Sequence, residues 1–464
     1  MATNTCPEPA TRPDLWPTNT CRDANGVLSI GGVALNRETL GDALTGHQPV
    51  IVLDEAALRG RAEVWRAAME EACWSGYGMA GAQVYYAGKA FLCGKLVQTL
   101  SELGLGIDTA SLGELTLALR AGANPANVGL HGNAKTDAEL HLAISNNIGR
   151  IIVDNEDEIA RIAAISRHYD TRANVMVRVT TGVHAGGHQY IATAHEDQKF
   201  GLSLTTGAAE RAARTIAHTP ELRLVGLHSH IGSQITDLQG FALAAKKLCQ
   251  LRHRLIEADI AVPELDLGGG YAIAYTGADP TPLRAKDVAD VLAKQVRESC
   301  AASGDDVPKL SIEPGRSIAG PVMVTCYPVI ATKDVTIAEG KTRRYVAVDG
   351  GMSDNIRPVL YQASYTATLA NRPAKAPTCA SRVVGKHCES GDILIADIDL
   401  PADVTAGDLL VMPATGAYGR SMASNYNLAL RPGVLAVNAG ASSWWVRPET
   451  LTDLFATDTA LGDA

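Results

Sequence analysis

From Val84 onward the chain repeats one unit, a short apolar run followed by an amphipathic stretch, eight strands in all. The runs fall at 84–87, 106–109, 128–131, 150–153, 173–179, 224–228, 264–267 and 309–312. Between them, 94–103, 112–120, 137–148, 156–168, 207–217, 241–258 and 285–301 carry apolar residues at helical spacing. Such alternation implies parallel strands joined by crossover helices, and eight of them predict a parallel (β/α)8 TIM-type barrel. A doubly wound open sheet is the alternative. Against it, no Gly-x-Gly-x-x-Gly turn follows the first strand.

After Pro321 the grammar changes. Strand-like runs at 322–336, 344–349, 364–369, 381–384, 392–397, 408–412 and 434–437 are separated by Gly, Pro and Asp turns. They predict a C-terminal β-rich domain, barrel-like or sandwich-like, over 322–464. The barrel is expected over 48–321, and two domains suit a length of 464 residues. The stretch 1–47 begins as a loosely held arm rich in Pro, Thr and Asn, followed by strand-like alternation at 26–35. A helix is expected over 54–73, with Asp54 able to cap it.

A net charge of −9 argues against nucleic acid or an anionic membrane as the main partner. No apolar run approaches membrane-spanning length, and the start lacks a basic segment followed by an apolar one, so a cytoplasmic location is expected. Nine cysteines without CxxC spacing fit reduced thiols better than a disulfide frame or a zinc site.

A parallel barrel places its chemistry at the carboxyl ends of its strands. Lys89, Asp108, His131 with Asn133, His228 with His230, Gly268 to Gly270, and Glu313 with Arg316 all fall there. Lys89 closes the run VYYAGKAF, where a desolvated amine would hold a carbonyl as a Schiff base; a lysine snorkelling to solvent is the simpler reading. LDLGGGY, over 265–271, can converge backbone N–H groups on an anion, or simply turn tightly. HSHIGSQ, over 228–234, sets His230 and Ser233 near a glycine, though a histidine there is often only structural. SIEPGRSI, over 311–318, offers a carboxylate and a cation within one turn, or an ordinary ion pair. Taken together they supply an anion cup, a flat ring, an acid and an amine. That set can hold pyridoxal 5'-phosphate.

With YYAGKAF, HGNAK, HSHIGSQ, LDLGGGY, EPGR, VDGGMSDNIRPVLY, CESGD and TGAYGRSMASNYN in this order, the chain resembles the diaminopimelate decarboxylases. These are pyridoxal-phosphate decarboxylases of the alanine-racemase-like fold. The resemblance runs from about Ala43 to the last strands. It implies a β domain built from both chain ends and a homodimer with active sites shared across the interface. It implies that Lys89 bonds the cofactor, His230 stacks on its ring and Glu313 holds its ring nitrogen. Ser233, Gly268, Gly269, Gly270, Pro314, Gly315, Arg316 and Tyr418 would surround the phosphate. Arg316, Arg357, Tyr361, Glu389 and Tyr418 would bind substrate, with Glu389 contributed across the dimer. Cys388, also from the neighbouring subunit, would return a proton to the carbanion. The activity implied is decarboxylation of meso-2,6-diaminopimelate to L-lysine and CO2, the last step of lysine biosynthesis. A sister decarboxylase of a related amino acid or conjugate is the alternative.

Two departures stand out. Leu112 replaces a glycine common in the family's turn, and Gly419 with Arg420 follows Tyr418 where the family varies. The loop 180–203 carries His184, His188 and His195, but nothing fixes their geometry, so no metal is expected. Its Lys199-Phe200-Gly201 segment resembles the family's loop over the active site and suggests a lid.

Overall fold

The computed structural model describes residues 5–44, 48–183 and 199–461. The chain divides into two compact units, one comprising 59–272 and 282–317, the other 1–58, 273–281 and 318–464.

In the first unit the strands are Gly81–Ala87, Gly106–Thr109, Val128–Leu130, Arg150–Val153, Ala173–Thr180, Leu222–His228, Glu264–Asp266 and Lys309–Ile312. Each pairs in parallel with the next, and Lys309–Ile312 returns to Gly81–Ala87, so the ring closes into an eight-stranded barrel. A short strand, Leu202–Ser203, adds to the end of the fifth. The residues suit strands covered on both faces: runs such as Ile151, Ile152 and Val153, or Val175, Met176 and Val177, are buried outright.

Helix starts are set by local chemistry. Ser111 Oγ accepts from Glu114 N at 3.2 Å, and Thr136 forms a reciprocal capping box with Glu139. The helix expected over 54–73 runs Glu55–Glu70 and continues as a π-helical stretch, Glu71–Gly76, and Asp54, which ends a strand, caps it with Oδ1 accepting from Ala57 N at 3.0 Å.

A buried polar cluster centred on Arg150 breaks the apolar filling of the barrel. Arg150 starts the fourth strand and is 2% exposed, its guanidinium 3.4 Å from the centroid of the Tyr85 ring. A buried cation needs paired anions. Asp266 stands at 2.6 Å and Asp108 at 3.1 Å.

The second unit is built on a mixed sheet in the order Ile393–Pro401, Thr378–Val384, Lys341–Val348, Met323–Ala338, Val50–Asp54, Val434–Asn438, Ala441–Val446. The long strand Met323–Ala338 also pairs with Leu409–Met412. Val50–Asp54, drawn from the stretch expected to belong to the barrel, lies antiparallel to Met323–Ala338 and parallel to Val434–Asn438, with all five residues buried. Composition suggested a loose arm at the start of the chain, but the described part is packed. Leu15 and Trp16 are buried, Trp16 Nε1 donates to Pro7 O at 3.0 Å, and Thr20–Arg22, Leu28–Ile30 and Val33–Ala34 form a small antiparallel sheet. Two large apolar side chains within a polar segment gain more by burial than the segment loses in freedom. Among the described residues no helix is long and apolar enough to cross a membrane.

Candidate active site

At the carboxyl ends of the barrel strands lies a cavity of about 370 Å³, lined in part by Lys89, Asp108, His131, His228, His230 and Glu313. That size suits a small ligand. The first strand stops at Ala87, and Lys89 sits on a single 3₁₀ turn, Gly88–Ala90, anchored by Tyr86 Oη donating to Phe91 O at 2.7 Å. Of the two readings of Lys89, a desolvated amine or a side chain reaching solvent, the second describes its surroundings. It is exposed, because the turn lifts it off the strand into the open cavity.

Glu313 follows the eighth strand and is 9% exposed. Its Oε1 has His228 Nε2 at 3.1 Å, His131 Nε2 at 3.3 Å and Arg150 Nη2 at 3.7 Å. None of these has hydrogen-bond geometry, so Glu313 Oε1 and both Nε2 atoms are buried without a hydrogen-bond partner among the described residues. Burial works against the Glu313 charge, but His131 and His228 outweigh it and hold the carboxyl well below the usual range. His131 answers in kind. Burial pushes it down, yet Glu313 and Asp108 raise it to about 9. Asp266 is raised, by burial and by Glu313, with Arg150 opposing. The base of the cavity is thus a cluster of anions held by one arginine and one charged histidine.

His230 differs from its neighbours. Burial, then Lys89 and Arg178, hold its pKa well below the ordinary value, so the ring is neutral. Gly269 N donates to His230 Nδ1 at 3.2 Å, which assigns the ring proton to Nε2. A neutral, fixed imidazole is a flat face against which another ring can stack.

The glycine turn after the seventh strand is tight on both sides. A Cβ at Gly269 would stand 2.2 Å from Glu313 O; Gly270, at φ +104°, would place one 2.1 Å from Gly232 O. The turn after Glu313 reaches back, as Arg316 Nη2 donates to Ser233 Oγ at 2.9 Å. Lys89, His230, Ser233 and Glu313 therefore share the cavity, with Gly268 to Gly270 and Pro314 to Arg316 on the two turns beside it. These residues fit pyridoxal phosphate. An exposed amine, a neutral ring and an orphaned buried carboxylate oxygen line one space, with glycine backbone and an arginine at its edge.

The sequence placed His131 and His228 at the functional ends of their strands without giving them a role, and it missed Arg178 and Arg150. Arg150 could have been found as a cation that opens an apolar run. His131, His228 and Glu313 present donor atoms within 4.8 Å of one another, a spacing that a metal ion can use.

In the second unit Arg357 opens the short helix Arg357–Tyr361 and is 5% exposed, whereas Tyr361 at its end is exposed. Cys388 and Glu389 are exposed on the turn between Thr378–Val384 and Ile393–Pro401. Asp392 holds that turn, accepting from His387 N at 2.9 Å and Met352 N at 2.7 Å. Tyr418 is half-buried at φ +62°, a strained conformation for a side-chain-bearing residue. His184, His188 and His195, and most of the expected lid, lie outside the described residues. Of the lid, Phe200 faces the Arg178 guanidinium at 4.4 Å and Gly201 N donates to Asp154 Oδ1 at 2.6 Å.

Residues 60–320 match the family model for the pyridoxal binding domain of pyridoxal-dependent decarboxylases. The chain is 45% identical over 447 residues to a diaminopimelate decarboxylase of Mycobacterium tuberculosis, covering 95% of this chain and 97% of that one. It is 42% identical over 438 residues to the enzyme of that name from Bacillus subtilis, covering 94% and 96%. A crystal structure of diaminopimelate decarboxylase from M. jannaschii in complex with L-lysine matches with a TM-score of 0.87 at 28% identity, over 95% of this chain and 98% of that one. With its closed barrel, and its lysine and its acid at the carboxyl ends of two neighbouring strands, this chain belongs to the diaminopimelate decarboxylase family of pyridoxal-dependent decarboxylases.

Proposed function

We propose that the protein decarboxylates meso-2,6-diaminopimelate to L-lysine and CO2 with pyridoxal phosphate, the last step of lysine biosynthesis. The observation that carries this reading is Glu313, a buried carboxylate kept ionised by two histidines, with one oxygen unsatisfied in the cavity that Lys89 lines. Bound pyridoxal phosphate supplies an electron-withdrawing ring able to accept the charge left when a carboxylate departs as CO2.

The chain's own residues do the rest. Lys89, which lines the cavity, would supply the amine that holds the cofactor. His230 would stack on the cofactor's ring, and Glu313 would keep a proton at its ring nitrogen, which would strengthen the ring's pull on electrons. Ser233, the backbone of Gly268 to Gly270, Pro314 and Gly315, and Arg316 with Tyr418 would hold its phosphate. Arg357 supports the choice of substrate. It is a buried cation with no carboxylate partner among the described residues, as suits a site for an acid group remote from the reacting carbon. Arg316, Tyr361 and Tyr418 are assigned to the same substrate, and Glu389 to its distal amino group.

Cys388 is assigned to proton return, and it and Glu389 to the site of a second copy in a homodimer. Their exposure supports this, since a residue serving another subunit must reach the surface of its own. A cytoplasmic location agrees with nine free cysteines, none disulfide-bonded in the described structure. The test is a substrate panel. Purified protein supplied in turn with meso-diaminopimelate, ornithine, arginine and lysine should release CO2 from the first by a wide margin. Preference for another member would establish the sister-decarboxylase alternative. Sedimentation at equilibrium should give twice the chain mass, and a monomer would end the shared-site reading.

A further inference from the structure

Arg357 is held in an unusual way for a buried cation. Its Nη1 donates to Tyr365 Oη, and its guanidinium carbon lies 4.5 Å from the centroid of the Tyr275 ring and 5.5 Å from that of Tyr365. The two rings meet edge to face with centroids 5.1 Å apart, and Tyr275 and Tyr365 are buried. Each constrains a different freedom. A ring under the guanidinium fixes the height of its plane, and a hydroxyl on one nitrogen fixes rotation within that plane.

The backbone adds to this. Arg357 begins a helix with Pro358 behind it, and Asn355 Oδ1 accepts from Arg357 N at 3.4 Å. Of the five side-chain N–H groups an arginine carries, the bond to Tyr365 is the one formed with another side chain among the described residues. The remaining fork is oriented but unspent. A mobile arginine pays rotamer entropy when it grips a carboxylate, whereas one clamped beforehand has already lost that freedom on folding.

We infer that Tyr365 and Tyr275 are positioning residues for Arg357, and that by aiming its guanidinium they select ligands keeping a carboxylate remote from the reacting carbon. This rests on the role proposed above for Arg357. Neither tyrosine needs to touch substrate. Their effect falls on binding of the remote carboxylate and leaves the bond-breaking end alone.

The test compares two inhibitors of the holoenzyme that differ in that one group: L-lysine, which has the carboxylate, and 1,5-diaminopentane, which lacks it. Tyr365→Phe keeps the ring and removes the hydroxyl, so packing is preserved. It should raise the lysine inhibition constant about fivefold to tenfold, change that of diaminopentane by less than about twofold, and raise KM for diaminopimelate more than it lowers kcat. Tyr275→Leu should act in the same sense. Arg357→Gln provides the reference. If it weakens lysine and Tyr365→Phe does not, the clamp is overturned while the role of Arg357 stands. If Tyr365→Phe weakens both inhibitors alike, the tyrosine is merely structural and the inference also fails. If Arg357→Gln itself leaves lysine unaffected, the role proposed for Arg357 is what fails.

Discussion

The charge of Glu313, on which the proposed function rests, is imposed by its neighbours. Glu313→Gln keeps the shape and a hydrogen-bonding group but cannot balance a protonated ring nitrogen, so CO2 release should fall by about a hundredfold or more. Lys89→Ala should abolish the yellow absorbance of the bound cofactor and borohydride trapping at this position, because no other lysine lines the cavity among the described residues. The histidines give a pH signature with a definite sign. Burial lowers the His131 pKa, but Glu313 and Asp108 raise it to about 9. A group whose folded value is raised contributes stability that is whole below its unfolded pKa, roughly 6.5, and is lost as pH rises through the folded value. Melting temperature should therefore decline between roughly pH 7 and 9, and His131→Asn should flatten that limb. Glu313 runs the other way. Its depressed pKa keeps its contribution through neutral and mildly acid pH, until pH falls through the lowered value. Lys89 and Glu313 were legible from their motifs. The pairing of Glu313 with His131, His228 and Arg150 was not, because those residues are scattered over three other strands and meet only when the barrel closes.

Turns and helix ends hold the site more firmly than their composition suggests. At Gly269 an added methyl would press on the carbonyl of Glu313 itself at 2.2 Å. Gly269→Ala should push the seventh and eighth strand ends apart and weaken pyridoxal phosphate binding by at least about tenfold, measured by cofactor titration of the apoprotein. A cap remote from the site should behave otherwise. Thr136→Ala removes one half of the capping box with Glu139 and should cost about 1 kcal/mol in urea unfolding without changing cofactor affinity. Elements of this kind were readable in sequence. Period, cap and turn residues lie within a few positions of one another, which is why most barrel strands fall within a residue or two of their expected bounds. The first strand is longer than its apolar run. Gly81 to Gln83 extend it because Lys309 to Ser311 offer them backbone partners.

Across the molecule, chain order and spatial order part company. Val50–Asp54 sits between strands from residues 323–338 and 434–438, some 270 to 380 positions later in the chain. A fragment of 318–464 alone therefore lacks a central strand. It should show no cooperative unfolding by circular dichroism, in contrast to the full chain. The sequence by itself determined the alternation that makes a barrel, the end of the barrel that bears function, and the lysine, acid, histidine and glycine turns of a pyridoxal enzyme. These depend on spacing and residue type, which are local. Tertiary structure alone decided that Lys89 stands exposed, that Leu15 and Trp16 are packed, that an early strand belongs to the β-rich sheet, and that Glu313 keeps its charge between two histidines. Each of these follows from burial and from Coulomb interaction between groups far apart in the chain, and neither exists until the chain has folded.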